Sequence, residues 1–337
     1  MTRKIVRISS GSGIPLIGSI AFGLIDRGTN LIQIRPISTC PLSCIFCSTD
    51  AGPRSKRRAE YIVDEEYLIG EFERLVEFKG DNDIEAHIDT VGDPLTYRDL
   101  PKLVRDLREI PEVKVISIQT HGVLLTENLI KNLEKAGVDR INLSIDSLNE
   151  EKARYLSGSQ WLKIDRIIKA ARMIADSSMD LLIAPVWVPT VNDEDIPRII
   201  DFALSIGAGK RWPPLGIQKY ELYRRGRNAG VKPMPWKKFY SALKRWEEEF
   251  GVKLILRPED FGIHHSRQLK APFSIGETAY VEIVAPGIRA DEALGKARGR
   301  AIIVVNASNI PIGARVRIRV IRNRDNIIVG VPIYSSE

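Results

Sequence analysis

Apolar residues change rhythm repeatedly between positions 31 and 220. Short runs dense in branched apolar residues, at 31–35, 84–90, 113–119, 140–145 and 181–188, have strand character. Segments at helical spacing separate them. The first follows Asp64, a residue suited to an N-cap, and carries Tyr67, Leu68, Phe72, Leu75, Val76 and Phe78 near that spacing. Others occupy 100–109, 129–136 with Gly137 as a stop, 162–175, and 195–204 with a stop at Gly207. Residues 213–220 supply a sixth strand. This alternation predicts an α/β unit with a parallel sheet, closed as a full or partial (β/α)6 barrel over 31–220. Residues 1–30, punctuated by glycine and serine and ending in a turn at Arg27 to Asn30, form a lead-in packed against the end of the barrel.

Past Pro272 the pattern shortens. Strand-like runs at 278–285, 301–306, 315–321 and 326–331, with turns at Gly276, Gly287, Gly299 and Gly313, predict a small C-terminal β-barrel over 271–337. Alternation along 315–321 puts Arg315, Arg317 and Arg319 on one strand face. Between the two barrels, 221–270 reads as a basic helical bridge in which Trp236, Tyr240, Leu243 and Trp246 recur near helical spacing.

Length, at 337 residues, allows one large domain and a small one, and the 44% hydrophobic and 28% charged fractions exclude a disordered chain. The apolar run at 14–25 follows basic residues as a signal peptide would. Pro15 interrupts it, Asp26 and Arg27 end it, and no clear small-x-small cleavage site is present. No segment reaches the roughly eighteen unbroken apolar residues that cross a bilayer, so a cytoplasmic protein without membrane contact is expected. The net charge of +7 is unevenly placed. Basic residues are in clear excess from 207 onward, and the earlier part is mildly acidic. Residues 207–270 alone hold 15 Lys and Arg against 6 Asp and Glu, including Arg224, Arg225 and Arg227, with Tyr220, Tyr223, Trp236, Phe239 and Tyr240 interleaved. Cations beside stackable rings suit RNA, although a solvated basic surface fits the charge equally well.

All three cysteines, Cys40, Cys44 and Cys47, fall within eight residues. A disulfide would leave one thiol over, and a zinc site would want a fourth ligand, whereas the nearest histidine, His87, is forty residues beyond Cys47. Three clustered thiolates can hold a [4Fe-4S] cluster, whose fourth iron is then open to a further ligand. The adjacent His264 and His265 do not share a face of a regular element and read as a surface loop.

The C-x3-C-x2-C spacing, with Phe46 just before the last cysteine, resembles the signature of the radical S-adenosylmethionine (SAM) superfamily. The resemblance implies reductive cleavage of SAM at the open iron, an electron donor, and a 5′-deoxyadenosyl radical that abstracts hydrogen from substrate. It implies cofactor roles as follows. Gly92, Asp93 and Pro94 resemble the Gly-Gly-Glu-Pro turn that holds the SAM amino group, with Val91 at a usual glycine and Asp93 at the usual glutamate. Thr120, His121 and Gly122 resemble the Thr-Asn-Gly turn of the third strand, with His121 as a turn residue that takes left-handed geometry. Ser144 and Asp146 face the ribose and carboxylate, Arg154 matches an arginine that often follows the fourth strand, and Val186 and the backbone of Phe46 meet the adenine. No cysteine remains for a second cluster, which disfavours sulfur insertion and the two-cysteine RNA methylases.

The segment 271–337 resembles the TRAM domain, an RNA-binding β-barrel of tRNA-modifying enzymes. The two resemblances together imply a radical SAM enzyme that modifies an RNA nucleotide, most of all in tRNA, with Arg224, Arg225, Arg227, Arg315, Arg317 and Arg319 contacting the RNA. The alternatives are an enzyme acting on a metabolite, lipid or peptide, and an RNA-binding protein with a structural cluster.

Overall fold

Strand and helix alternate through the first two-thirds of the chain as the apolar rhythm requires. The computed structural model describes residues 3–334. Its first ten strands are β1 (Lys4–Ile8), β2 (Gly23–Asp26), β3 (Leu31–Arg35), β4 (Ala59–Val63), β5 (Ile84–Ile88), β6 (Val113–Thr120), β7 (Arg140–Leu143), β8 (Asp180–Ile183), β9 (Val186–Trp187) and β10 (Gln218–Lys219). The helices among them are α1 (Glu65–Lys79), α2 (Leu100–Arg108), α3 (Glu127–Ala136), α4 (Glu150–Ser157), α5 (Ile164–Asp176) and α6 (Asp195–Ser205). The main sheet runs β2-β3-β5-β6-β7-β8, parallel from β3 onward. Ala184 and Pro185 break the fifth parallel strand, which β9 resumes. The sixth is continuous with it, because Gly216, Gln218 and Tyr220 donate backbone N–H groups to the carbonyls of Ile183, Pro185 and Trp187. Six parallel strands with crossover helices make the partial (β/α)6 barrel.

Several details depart from the sequence expectation. The segment 1–30 does more than pack on the barrel end. β2 pairs antiparallel with β3 and covers the open sheet edge, while β1 pairs in parallel with β4, a strand hidden in sequence by the basic run before it. The helix expected at 162–175 is α5, and a further helix absent from the expectation, α4, precedes it. Asp64 occupies the N-cap of α1 without a side-chain cap hydrogen bond.

The two faces of the parallel strands differ in chemistry. Outward positions such as Ile32, Ile34, Ile84, Ile88, Ile116, Ile118 and Ile141 are fully buried. Inward positions are polar where parallel barrels ordinarily hold Val, Ile and Leu. Glu85 pairs with Arg140 at 2.5 Å, Gln33 and Arg35 donate to Asp89, and Gln119 donates to Ser144. The Arg140 guanidinium lies 4.8 Å from the Trp212 ring and 5.0 Å from that of Phe261.

One buried ion pair fastens α1 to the edge strand. Lys79 Nζ is 2.8 Å from Asp26 Oδ1, both side chains at 0% exposure, and the backbone N–H groups of Gly28 and Leu269 also donate to Asp26. Replacing Lys79 by Met strands the carboxylate in the interior, so Lys79→Met is expected to cost about 3–5 kcal/mol of stability. Denaturant titration reads this, and a loss below about 1 kcal/mol, the value of an exposed pair, would contradict the assignment.

Beyond the barrel, α7 (Trp236–Phe250) buries Phe239, Leu243 and Trp246, with the Trp246 ring 4.9 Å from that of Trp187. Trp236 and Tyr240 are exposed and stack at 5.6 Å. The C-terminal strands are β11 (Thr278–Pro286), β12 (Glu292–Ala297), β13 (Arg300–Val305), β14 (Arg315–Arg322) and β15 (Val329–Pro332), closed in the order β11-β12-β13-β15-β14. Val281, Ile302, Val304, Ile318, Val320 and Ile328 form its separate core. β12 was absent from the sequence expectation because its Ala, Gly and Lys content lacks strand character. The N-terminal segment mortises the two barrels together: Ala301 N donates to Ile17 O at 2.8 Å and Ile328 N to Gly18 O at 3.0 Å. Gly18 has φ +128°, and a Cβ there would meet Ala301 O at 1.9 Å. Among the described residues no helix is long and apolar enough to cross a membrane.

Candidate active site

The loop between β3 and β4 carries the cysteines and has little regular structure, so its shape depends on what its backbone bonds to. The end of α4 supplies two carbonyls, Ser157 O to Ser43 N at 3.0 Å and Leu156 O to Ile45 N at 2.9 Å. Arg57, at the end of the cysteine loop, is 5% exposed. Its guanidinium donates to Ser38 O, Thr49 O and Val91 O and pairs with Glu60 at 3.1 Å. Arg227 grips the loop from the far side. Its backbone N–H donates to Cys47 O at 2.8 Å, its guanidinium donates to the carbonyls of Cys44 and Ala51, and it pairs with Asp50 at 3.0 Å.

Held in this way, Cys40, Cys44 and Cys47 are free thiols lining one cavity of about 340 Å³ above the C-terminal ends of the barrel strands. Burial pushes the Cys40 thiol up to about 12, with Asp93 adding to the shift, and lifts Cys44 well above the usual range, with Asp146 adding. Thiolates here need a bound cation to be stable. Three free thiols on one cavity are the soft donor set that suits an iron–sulfur cluster; among the described residues no group of three His, Cys, Asp or Glu is arranged to hold a single ion.

Phe46, Gly92, Thr120, Ser144 and Val186 line the same cavity, as does His121. At Gly92 a Cβ would sit 2.0 Å from Thr39 O and 2.4 Å from Ser38 O, so the second-strand turn lies directly against the cysteine loop. His121 Nε2 is 3.6 Å from Cys44 Sγ. The left-handed residue of that turn is Gly122, at φ +74°, not His121.

Four cofactor candidates lie elsewhere. Asp93 is 1% exposed and turned inward. Its carboxylate accepts from Leu95 N at 3.0 Å, Thr120 Oγ1 at 2.8 Å and His121 N at 3.1 Å, so it rivets the turns together rather than facing the cavity. Pro94 is buried behind it at the start of a 3-10 turn. Asp146 stands behind Val186, accepting from its N–H at 2.8 Å. Arg154 lies on α4, where it donates to Leu162 O and pairs with Glu150.

The basic candidates divide similarly. Arg227 is committed to the cysteine loop through Asp50, and Arg225 to Glu292 and Asp291 of the small barrel; these acids are far away in sequence, so the pairings are not visible there. Arg224, Arg315, Arg317 and Arg319 are exposed. His264 pairs with Asp81 on a loop. Sequence reasoning assigned no role to His87, Asp89 or Lys219, which line the cavity, and read Tyr223, which lines it too, only as one of the rings interleaved with the basic residues. The signal for the first two was a polar residue at every second position of a strand buried on both faces.

A three-cysteine loop at the top of a partial (β/α)6 barrel defines a class, and residues 34–203 match the Radical SAM superfamily; the chain belongs to that family. As a member it uses a [4Fe-4S] cluster and SAM. An uncharacterized protein of Methanocaldococcus jannaschii is 43% identical over 338 residues, covering 94% of this chain and 78% of that protein. GTP 3′,8-cyclase of Chlorobaculum tepidum is 26% identical, in a match spanning 61% of this chain and 60% of the cyclase. Among solved structures, SuiB of Streptococcus suis shares the fold, with a TM-score of 0.50 at 18% identity over 72% of this chain and 50% of SuiB.

Proposed function

We propose that this radical SAM enzyme modifies a nucleotide within RNA, tRNA above all, in the cytoplasm and with an electron donor for the cluster. The observation that carries the reading is a groove of about 580 Å³ between the two barrels. It meets the cysteine cavity at Ser48, Thr49, Val91 and Tyr223, which line both. Its far wall includes Ile321 and Arg322 of β14, and Arg224 stands beside it. Alternation along β14 puts Arg315, Arg317 and Arg319 on the same exposed face as Ile321. A line of guanidiniums thus leads to the groove, and the groove leads to the cluster.

Phosphates held along that line position a strand without reading its sequence. A splayed nucleotide then fits a path with an aromatic residue, Tyr223, at the entrance. The likeness of the small barrel to a TRAM domain supports the same grip. When bound, the cluster supplies the electron that cleaves SAM, and the protein holds the target carbon near it in a site closed to water. The second reading, a free nucleotide substrate, is supported by the relatives named as GTP 3′,8-cyclases.

Incubation of the reconstituted enzyme with reductant, SAM and bulk tRNA from a deletion strain separates the two. A new nucleoside mass together with 5′-deoxyadenosine is expected. Unchanged RNA with consumption of added GTP would replace RNA by free nucleotide. Arg315→Glu, Arg317→Glu and Arg319→Glu combined are expected to weaken tRNA binding at least ~10-fold and to lower the salt slope by about 3, with iron content unchanged. Undiminished binding would remove β14 from the interface.

A further inference from the structure

Below the cysteines the cavity continues into the barrel lumen, where hydrogen-bond acceptors face it. Ser117 decides the state of the first. Its hydroxyl lies 2.6 Å from Glu85 Oε1 and 2.7 Å from His87 Nδ1. Ser117 donates its single hydroxyl proton to Glu85, whose Oε1 also pairs with Arg140 at 2.5 Å. Ser117 Oγ must then accept from His87 Nδ1–H. That fixes the tautomer and leaves Nε2 with a bare lone pair on a ring that lines the cavity.

The ring is also neutral at pH 7. Burial lowers the His87 pKa, and the nearby charges, Asp89 and Glu85 raising it, Arg140 and Arg35 lowering it, do not reverse the shift.

Two further acceptors line the same cavity. Asp89 Oδ2 takes hydrogen bonds from Gln33 Nε2 and Arg35, each at 3.2 Å, while Oδ1 receives none among the described residues. Gln119 gives one of its two amide N–H bonds to Ser144 Oγ at 3.0 Å, and its Oε1 receives no donor among them. Such a wall rewards a ligand that presents donors and penalises one that presents lone pairs. Of the four common bases, guanine alone sets a ring N–H beside an exocyclic amino group. Adenine and cytosine place a ring acceptor next to the amine, and uracil flanks its N–H with two carbonyls.

We propose that the lumen is the seat of the substrate base and reads the donor edge of a guanine through His87 Nε2, Asp89 Oδ1 and Gln119 Oε1. This rests on the reading that the substrate is a nucleotide unit.

Equilibrium dialysis of the reconstituted holoenzyme with SAM tests it, using GMP, IMP and UMP as probes. IMP keeps the ring N–H and lacks the amino group. GMP is expected to bind at least ~10-fold more tightly than IMP or UMP, the discrimination of a site built around hydrogen bonds. His87→Phe, which keeps a flat ring and loses the acceptor, is expected to lose ~10-fold in GMP affinity, and His87→Gln, which retains an acceptor, to keep most of it. Iron content serves as the check on folding in both. Equal affinity for GMP and IMP, or His87→Phe binding GMP as tightly as the unaltered protein, would overturn the inference. A product from tRNA derived from any nucleoside but guanosine would overturn it too and leave the RNA reading standing. GMP selectivity with unmodified RNA would do the reverse.

Discussion

Cys44→Ala protein, reconstituted anaerobically with iron and sulfide, is expected to stay nearly colourless and to form 5′-deoxyadenosine at least ~100-fold more slowly than the unaltered chain, a larger loss than the removal of an outer-shell partner produces. Cys44 is the most deeply buried of the three thiols. Its carbonyl is held by Arg227, and the residues on either side of it by the end of α4. No other thiol exists in the chain to take its place. His121 is close enough to approach the gap, at 3.6 Å from the sulfur, so His121→Ala in the Cys44→Ala background is the control that removes a substitute ligand. Because alanine is apolar and the backbone hydrogen bonds do not involve the sulfur, the thermal midpoint of the cluster-free proteins should barely differ. Full iron content in Cys44→Ala would refute the three-thiol site.

Asp93→Ala should be the most damaging change near the cavity that touches no cysteine. The carboxylate satisfies Leu95 N, Thr120 Oγ1 and His121 N, all inside the protein. Removing it leaves several donors dry, at roughly 1–3 kcal/mol for each unsatisfied group, so a total loss of about 3 kcal/mol or more is expected in denaturant titration. SAM binding should fail with it, since the turns of Gly92 and Thr120 lose their common anchor.

The informative partner is Asp93→Glu. Were Asp93 a direct ligand of SAM with too short a reach, the longer side chain would tighten SAM binding. In this structure glutamate is too long for a closed pocket and is expected to cost about 1–3 kcal/mol, with weaker SAM binding. Tighter binding by Asp93→Glu would return Asp93 to the cavity.

Much of the architecture was legible because it rests on periodicity. The parallel strands, their helices and the cysteine loop were each visible as a local pattern. What stayed hidden depends on partners distant in sequence. Arg225 and Arg227 looked like members of an open basic patch, and nothing local shows that Glu292 and Asp50 neutralise them. Asp93 matched a motif position, but a motif does not say which way a shorter carboxylate turns. β4 and β12 were missed for opposite reasons, one following a dense run of cations and the other lacking branched residues. The polar lumen was readable in principle, since Glu85, His87 and Asp89 alternate with Ile84, Ala86 and Ile88 in a strand that a parallel sheet buries on both sides.

The bonds that join Ile17 and Gly18 to Ala301 and Ile328 have a bearing on biogenesis. They join residues 17 and 18 to residues 301 and 328, so their formation waits on chain made long after the cysteine loop. While the ribosome works, the carbonyls of Ile17 and Gly18 have no protein partner, and the wall that the small barrel gives to the groove does not yet exist. The cysteine loop is complete long before that. The backbone that holds the three thiols is thus made well before the groove that leads to it.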